Sequence, residues 1–122
     1  MGFNYRGHPV RVIAIEGSAS IAHRGDERVL RFVRVCADDV DKHVRAAVVR
    51  ALKRIAQVGD IQVVNWLITV SITDSCFVVR DLAVEAALDL FSGPSSQLMR
   101  VWDAFPAARN REFLILQNGF LP

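Results

Sequence analysis

Apolar residues recur along much of the chain with the period of an α-helix. Over residues 44–55 they occupy positions i, i+3, i+4, i+7, i+8 and i+11, which form one continuous stripe along a helix. Residues 79–90 repeat this pattern in the same phase, and residues 10–21 carry a weaker copy. We therefore predict three amphipathic helices, each of which buries one stripe. In the first copy, the positions predicted to be buried are Val10, Ile13, Ala14, Gly17, Ser18 and Ile21.

The three stripes belong to an internal repeat with a period of 34 to 35 residues. A Val-Arg pair opens each copy and a glycine closes it. The pairs are Val10-Arg11, Val44-Arg45 and Val79-Arg80, and the glycines are Gly25, Gly59 and Gly93. Periods of about 20 to 50 residues are typical of solenoids and related arrays. The sequence therefore predicts a repeating unit made of a helix, a short turn and a second helix.

The first helix of each unit is indicated by another apolar pattern. It occupies residues 29–36, returns at 63–70 and persists in a degraded form at 97–104. Phe32 and Trp66 are expected on its buried side. Residues 61–72 are rich in Val, Ile and Thr, which favour a β-strand. The repeat register favours a helix there instead, because the counterpart at 27–37 carries more helix formers and charges.

The composition fits one folded domain of 122 residues, since 52% of the residues are apolar and 23% are charged. A disordered chain would hold fewer apolar residues. The longest uncharged stretch, residues 61–73, is shorter than the roughly 20 residues that a membrane-spanning helix needs. Cys36 and Cys76 are isolated and predict reduced thiols in an intracellular protein, with the cytoplasm as the expected compartment.

Positive charge is concentrated in the first half of the chain. The formal net charge is +2, but residues 1–61 carry +4 and residues 62–122 carry −2. Arg24, Arg28 and Arg31 are spaced to share one helix face, and Arg34 is adjacent to it. Basic ridges of this kind attract phosphates or acidic proteins. The ridge is therefore interpreted either as a nucleic-acid or phosphate-binding site or as a solvated face.

The repeat pattern resembles the HEAT repeat, whose signature is an apolar first helix and then Asp-x-Asp-x-x-Val-Arg opening a second helix. Residues 39–45 match this signature in full, and residues 74–80 match it except that Cys76 replaces the second aspartate. The resemblance implies an all-α, right-handed α-solenoid of three to four helix pairs, with about seven helices. Its expected parts, within a single domain over 1–122, are a half repeat at 8–24, repeats at 26–59 and 60–93, and a degenerate terminal repeat at 94–118.

The resemblance also implies a function, because HEAT-like proteins are mostly non-catalytic scaffolds or accessory subunits that bind other proteins. Arg45 and Arg80 are expected to contact aspartates of the turns and so to link successive repeats in a structural ladder. The residues of this predicted ladder are Asp39, Asp41, Arg45, Asp74 and Arg80. Two alternatives stay open: a nucleic-acid-binding module that uses the arginine ridge, and a chaperone or lyase for a tetrapyrrole that resembles the phycobilin lyases.

Exposed positions on the second helices form the candidate partner-binding surface. Glu16, Arg50 and Glu85 hold equivalent positions in the three copies, which predicts a row of alternating charge. Such a row serves either to set the register between helices or to bind a partner. The predicted binding residues are Arg50, Lys53, Arg54, Glu85 and Asp89, together with Arg24, Arg28 and Arg31 of the ridge.

Nothing in the sequence indicates catalysis, a metal or a cofactor. The three histidines are not at metal-ligand spacing, and there is no glycine-rich phosphate loop. Asp38, Asp39 and Asp41 lack the rest of a calcium loop, so helix capping explains them better. Neither end of the array resembles a polar cap, since residues 113–116 read Phe-Leu-Ile-Leu. We therefore predict that a protein partner, a second copy or further sequence covers an apolar end.

Overall fold

A computed structural model describes residues 3–103 of the chain, with side chains from residue 9 onward. This part of the chain is all α-helical and contains no strand. Its six helices are α1 (Phe3–Ile21), α2 (Glu27–Val35), α3 (Lys42–Ile55), α4 (Ile61–Thr73), α5 (Phe77–Leu90) and α6 (Ser95–Asp103). The all-α prediction is confirmed. The handedness and the number of repeats stay predictions, and the predicted seventh helix lies outside the described residues.

The chain divides into two compact units, and the division falls between Gln57 and Val58. The first contains α1, α2 and α3, which correspond to the predicted half repeat and the repeat at 26–59. The second contains α4, α5 and α6, which correspond to the repeat at 60–93 and the start of the terminal repeat. The unit boundary therefore falls within two residues of the predicted repeat boundary.

In the first unit, α3 packs against both α1 and α2. The carboxylates of Asp26 and Asp41 accept backbone N–H bonds at the starts of α2 and α3, as N-cap residues do. The stripe predicted for residues 44–55 is buried at every position, and Leu30 and Val33 of α2 are buried as well. The helix starts and the core of this unit therefore follow the sequence pattern.

In the second unit, α4 packs against α5. The segment that is rich in β-branched residues forms a regular helix from Ile61 to Thr73, so the expectation from the repeat register is confirmed. Asp60 caps its N-terminus. Helix α6 is fixed by Trp102, which is fully buried and whose Nε1 donates to the Ser71 hydroxyl of α4 at 2.7 Å. Ser71 is itself buried, and its hydroxyl provides the acceptor for the indole N–H.

Gly25 and Gly59 each connect the turn before a helix pair to the end of that pair. Gly25 and Gly59 have φ values of +87° and +91°, which side chains with a Cβ rarely adopt. The N–H of Gly25 donates to the carbonyl of Ile55, and the N–H of Gly59 donates to that of Leu90 at 2.7 Å. Each bond satisfies a carbonyl in the last turn of a second helix, where no intrahelical donor is available.

The prediction for the first stripe is wrong, because α1 buries a different face. Val10 is 66% exposed, Ile13 is 67% exposed and Ile21 is 87% exposed, while Ile15 and Ala19 are buried instead. Ala14 and Gly17 are also exposed. The reason lies in the packing. Helices α3 and α5 each have a preceding helix packed against them, whereas no helix precedes α1 in the described part of the chain.

Two further expectations about the first helix of the repeat are wrong. Phe32 is 38% exposed instead of buried, because α2 directs Leu30 and Val33 into the core. Arg24 does not extend the face of this helix, because α2 begins at Glu27 and Arg24 lies in the turn before it. Trp66 is half-buried, so the expectation of a buried side chain holds only partly there.

Candidate protein-docking surfaces

The exposed side of α1 carries an apolar face, with the polar side chain of Ser20 at its edge. Val10, Ile13, Ala14, Gly17 and Ile21 follow one another at helical spacing, and none of them carries a polar side chain. With a rise of about 1.5 Å per residue, the face extends over roughly 16 Å. We call it the α1 face. Three large apolar side chains of this helix, Val10, Ile13 and Ile21, are each more than 60% exposed. Contact of apolar side chains with water is unfavourable, and burial against a partner would remove that contact.

The residues in the middle of the α1 face have small side chains or none. A Cβ placed on Gly17 would meet nothing within 4 Å, so the backbone is open to solvent there. Ala14 is the neighbouring residue one turn away. Small residues let the backbones of two helices approach closely, with larger side chains packing on either side. The shape of the α1 face is therefore suited to a second helix that crosses it near Gly17.

A second exposed surface lies on α2. Arg28, Arg31, Phe32 and Val35 line a shallow, open hollow of about 340 Å³, and we call them the α2 patch. Val35 is 80% exposed. Neither Arg28 nor Arg31 makes a side-chain hydrogen bond or an ion pair with any residue that the structure describes. The patch therefore combines two unpaired guanidinium groups with two apolar side chains.

Arg24 is engaged in a structural contact. Its Nη1 donates to the carbonyl of Ala56 at 2.6 Å and lies 3.3 Å from the carbonyl of Lys53. Both carbonyls belong to the C-terminal end of α3, where a cation interacts favourably with the free carbonyl groups. Of the predicted ridge, Arg28 and Arg31 thus share one surface, while Arg24 caps a neighbouring helix.

The predicted second-helix surface is divided between the two units. In the first unit, Arg50 and Glu16 form an ion pair of 3.5 Å with both side chains about half exposed, and Arg54 is exposed while Lys53 is half-buried. In the second unit, Glu85 and Asp89 are exposed on α5. The continuation of the charged row from Arg50 to Glu85 stays a prediction. An exposed pair such as Arg50 and Glu16 contributes about 0–1 kcal/mol to stability.

Of the predicted ladder residues, the aspartates precede helices α3 and α5, whereas Arg45 and Arg80 lie within those helices. The ladder between repeats stays a prediction, and a contact between repeats is made by Arg11, which was not predicted. Arg11, at the position equivalent to Arg45, places its Nε 2.9 Å from Oδ2 of Asp39 in the next repeat. Its Val10-Arg11 context was the signal that could have identified it. Arg45 donates to the carbonyls of Asp39 and Val40, each at 3.0 Å. Arg80 donates in the same way to the carbonyl of Asp74 at 2.7 Å.

The aspartates of the first turn act as caps. Asp39 accepts the N–H of Asp41 at 2.8 Å, and Asp41 accepts the N–H of His43 at 2.7 Å. Asp74 accepts the N–H of Cys76 at 2.9 Å, so it performs the same role in the second repeat. All three carboxylates accept backbone N–H groups, as the capping interpretation predicts for Asp39 and Asp41, and Asp39 also accepts the side chain of Arg11.

The structure also bears on the chemistry of its polar groups. Among residues 9–103 there is no cluster of three histidine, cysteine or acidic side chains that is placed to hold a metal ion. Both cysteines are free thiols. Burial raises the pKa of the Cys36 thiol, Asp39 raises it further, and Arg11 acts in the opposite direction. A raised pKa keeps this thiol protonated and poorly nucleophilic at neutral pH.

Comparisons with known proteins identify the family. In the described part of the chain, no helix has both the length and the apolar character needed to cross a membrane. Comparisons with curated proteins and with solved structures found no match. A family model described as HEAT repeats matches residues 8–88, which is more than half of the chain and covers α1 from its first turns through most of α5. Together with the paired helices and the Val-Arg repeat, this match shows that the chain belongs to the HEAT repeat family.

Proposed function

We propose that this protein is a non-catalytic scaffold or accessory subunit that binds a protein partner through the α1 face. HEAT repeats are commonly protein-interaction scaffolds, and the family is generally non-catalytic. The observation that carries the proposal is the exposure of Val10, Ile13 and Ile21. Their counterparts in the other copies are buried, except for Leu82, which is half-buried. The protein is expected to be intracellular.

The internal repeat indicates what kind of partner fits. The stripes of α3 and α5 begin at Val44 and Val79, which are 0% and 1% exposed. Each of these helices has a preceding amphipathic helix packed against it. The α1 face has the same sequence pattern without such a helix in the described residues. We therefore propose that the partner contributes an amphipathic helix with apolar residues at the spacing seen in α2 and α4.

The gain from such an interaction is large enough to hold a partner. Burying the side chains of Val10, Ile13 and Ile21 removes three mostly exposed apolar groups from water, at about 1.5–3 kcal/mol for each side chain when fully buried. Part of this gain offsets the entropy lost on association. Because salt screens interactions between charges and this interface is apolar, we expect the complex to remain bound at high salt.

The test compares partner capture by three proteins at low and high salt. The variant Ile13→Glu places a charge in the α1 face, and the control Asn65→Glu places the same charge on an exposed position of helix α4. After affinity purification from the native source, mass spectrometry identifies bound proteins, and sedimentation velocity detects self-association. We expect the wild type and Asn65→Glu to retain a stoichiometric partner, or a second copy, at high salt.

We expect Ile13→Glu to lose that partner while keeping the same helical content by circular dichroism, because position 13 is 67% exposed. The proposal is overturned if Ile13→Glu retains the same partner as the wild type. It is also overturned if the wild-type protein is a monomer that retains no protein at high salt.

A further inference from the structure

We propose that the α2 patch is a second docking surface and that it binds an acidic amphipathic helix of a partner protein. This site goes beyond the α1 face and does not depend on it, because the two surfaces share no residue. It also differs from the surface expected on the second helices, since α2 is the first helix of its repeat. Its four side chains are Arg28, Arg31, Phe32 and Val35.

The spacing of the patch suits a helical ligand. The four residues occupy positions i, i+3, i+4 and i+7 of α2, so they lie on one side of the helix and extend over about 10 Å. A partner helix presents its own side chains with the same spacing over two turns. Two apolar residues of such a helix can therefore meet Phe32 and Val35 together, while residues beside them reach the two arginines.

The charge of the patch selects an acidic partner. Arg28 and Arg31 have no acidic side chain paired with them in the described residues. If a neutral helix covered the hollow, the guanidinium groups would lose water without gaining a partner, which is costly. A carboxylate at the edge of the incoming helix gives a charge-assisted hydrogen bond, worth about 1.5–3 kcal/mol. Affinity and selectivity for Glu or Asp therefore arise from the same two side chains.

The same features favour a protein over a nucleic acid. Sites for single-stranded nucleic acids usually stack successive bases on several aromatic side chains. This hollow has one aromatic residue, Phe32, and its other apolar residue is Val35, which is 80% exposed and offers no ring. By contrast, a partner helix with an apolar stripe and acidic edges would contact the two apolar side chains and both arginines of the patch.

The helix itself provides a matched control. Arg34 is exposed on α2, but it lies outside the set of residues that line the hollow. The variants Arg31→Glu and Arg34→Glu change the net charge of the protein equally. Only the first alters the α2 patch. A general electrostatic attraction would therefore respond equally to both substitutions, whereas a defined site responds to Arg31→Glu alone.

The experiment selects ligands from a displayed library of amphipathic helical peptides. The library keeps one apolar stripe constant and randomises the positions on both sides of it. Selected peptides are then titrated by fluorescence anisotropy against the wild type, Arg31→Glu, Phe32→Ser, Arg34→Glu and Ile13→Glu. A fluorescent oligouridylate is titrated in parallel as the nucleic-acid probe. Circular dichroism checks that each variant keeps its helical content.

We expect enrichment of Glu and Asp beside the apolar stripe, and at least about tenfold weaker binding to Arg31→Glu and to Phe32→Ser. Arg34→Glu and Ile13→Glu are expected to bind like the wild type, the latter because it changes the α1 face. The inference is overturned if no acidic preference emerges or if Arg34→Glu weakens binding as much as Arg31→Glu. Tighter binding of the oligouridylate than of the peptides would also overturn it.

Discussion

The glycines of the chain provide a test in which similar substitutions have opposite effects on stability. Gly25 and Gly59 have positive φ values, whereas Gly17 lies within helix α1. Replacing any of the three by alanine adds one methyl group. The expected change in the free energy of unfolding then depends on the backbone conformation and on the space around the new Cβ.

For Gly59→Ala the backbone conformation decides the outcome. The nearest atoms to a new Cβ are Oγ and Cβ of Ser92, at 3.5 and 3.6 Å, which is ordinary van der Waals contact. The cost is therefore the left-handed conformation itself, about 1–2 kcal/mol. For Gly25→Ala the same cost applies, and the side-chain amide of Gln57 must also move. Because that amide ends a flexible side chain, the additional loss is small.

For Gly17→Ala the sign is reversed. A new Cβ meets no atom within 4 Å, and the backbone is already helical. Alanine stabilises a helix relative to glycine by about 0.5–1 kcal/mol, mainly because a chain with alanine at this position loses less conformational entropy on folding than one with glycine. Gly59→Asn is a useful intermediate, since asparagine tolerates the left-handed region better than alanine and we expect it to lose less stability.

Urea unfolding followed by far-UV circular dichroism measures all four variants. We expect midpoints in the order Gly17→Ala, wild type, Gly59→Asn, Gly59→Ala, with Gly25→Ala equal to or below Gly59→Ala. If Gly59→Ala unfolds at the same urea concentration as the wild type, the turn does not require a positive φ and the reasoning is refuted. A strong loss of stability in Gly17→Ala would show that the open space beside that residue is occupied.

Two further predictions concern contacts within each unit. Trp102→Phe removes the bond to Ser71 and leaves a small cavity, so we expect the free energy of unfolding, measured with urea, to fall by about 2 kcal/mol. In the double variant with Ser71→Ala, the loss should be smaller than the sum of the two single losses. Full additivity would contradict the contact. Arg24→Met removes the 2.6 Å bond to the Ala56 carbonyl. We expect it to lower stability by about 1 kcal/mol without changing peptide binding at the α2 patch, and a change in that binding would contradict its structural role.

Much of the fold follows from the sequence because the repeat supplies more information than any single segment. Residues 61–73 illustrate this, since their composition favours a strand while their register within the repeat specifies helix α4. The cap at Asp41 follows from the sequence because this aspartate directly precedes an amphipathic segment. Asp26 and Asp60 cap α2 and α4 in the same way, although the sequence analysis did not identify them.

The candidate surfaces follow less well, because a stripe shows that a helix has an apolar face but not whether another helix covers it. Ile13 and Ala47 have equivalent positions in the repeat, yet one is 67% exposed and the other fully buried. Exposure depends on which neighbour is present, which is not a property of the segment itself. Phe32 was misplaced for a related reason, since Leu30 and Val33 suffice to anchor α2.

The bonds from Gly25 to Ile55 and from Gly59 to Leu90 also bear on how such an array can be lengthened. Each bond spans one helix pair, from the glycine before its first helix to the last turn of its second helix. A copied segment that includes this glycine therefore keeps the bond. A duplication that starts at the glycine and stops just before the next one carries the donor, the acceptor and both helices together. The junction between two copies needs no new turn, because the end of one copied segment is followed by the glycine that begins the next. Gene segments bounded in this way are natural units for growth of the array and for its engineering.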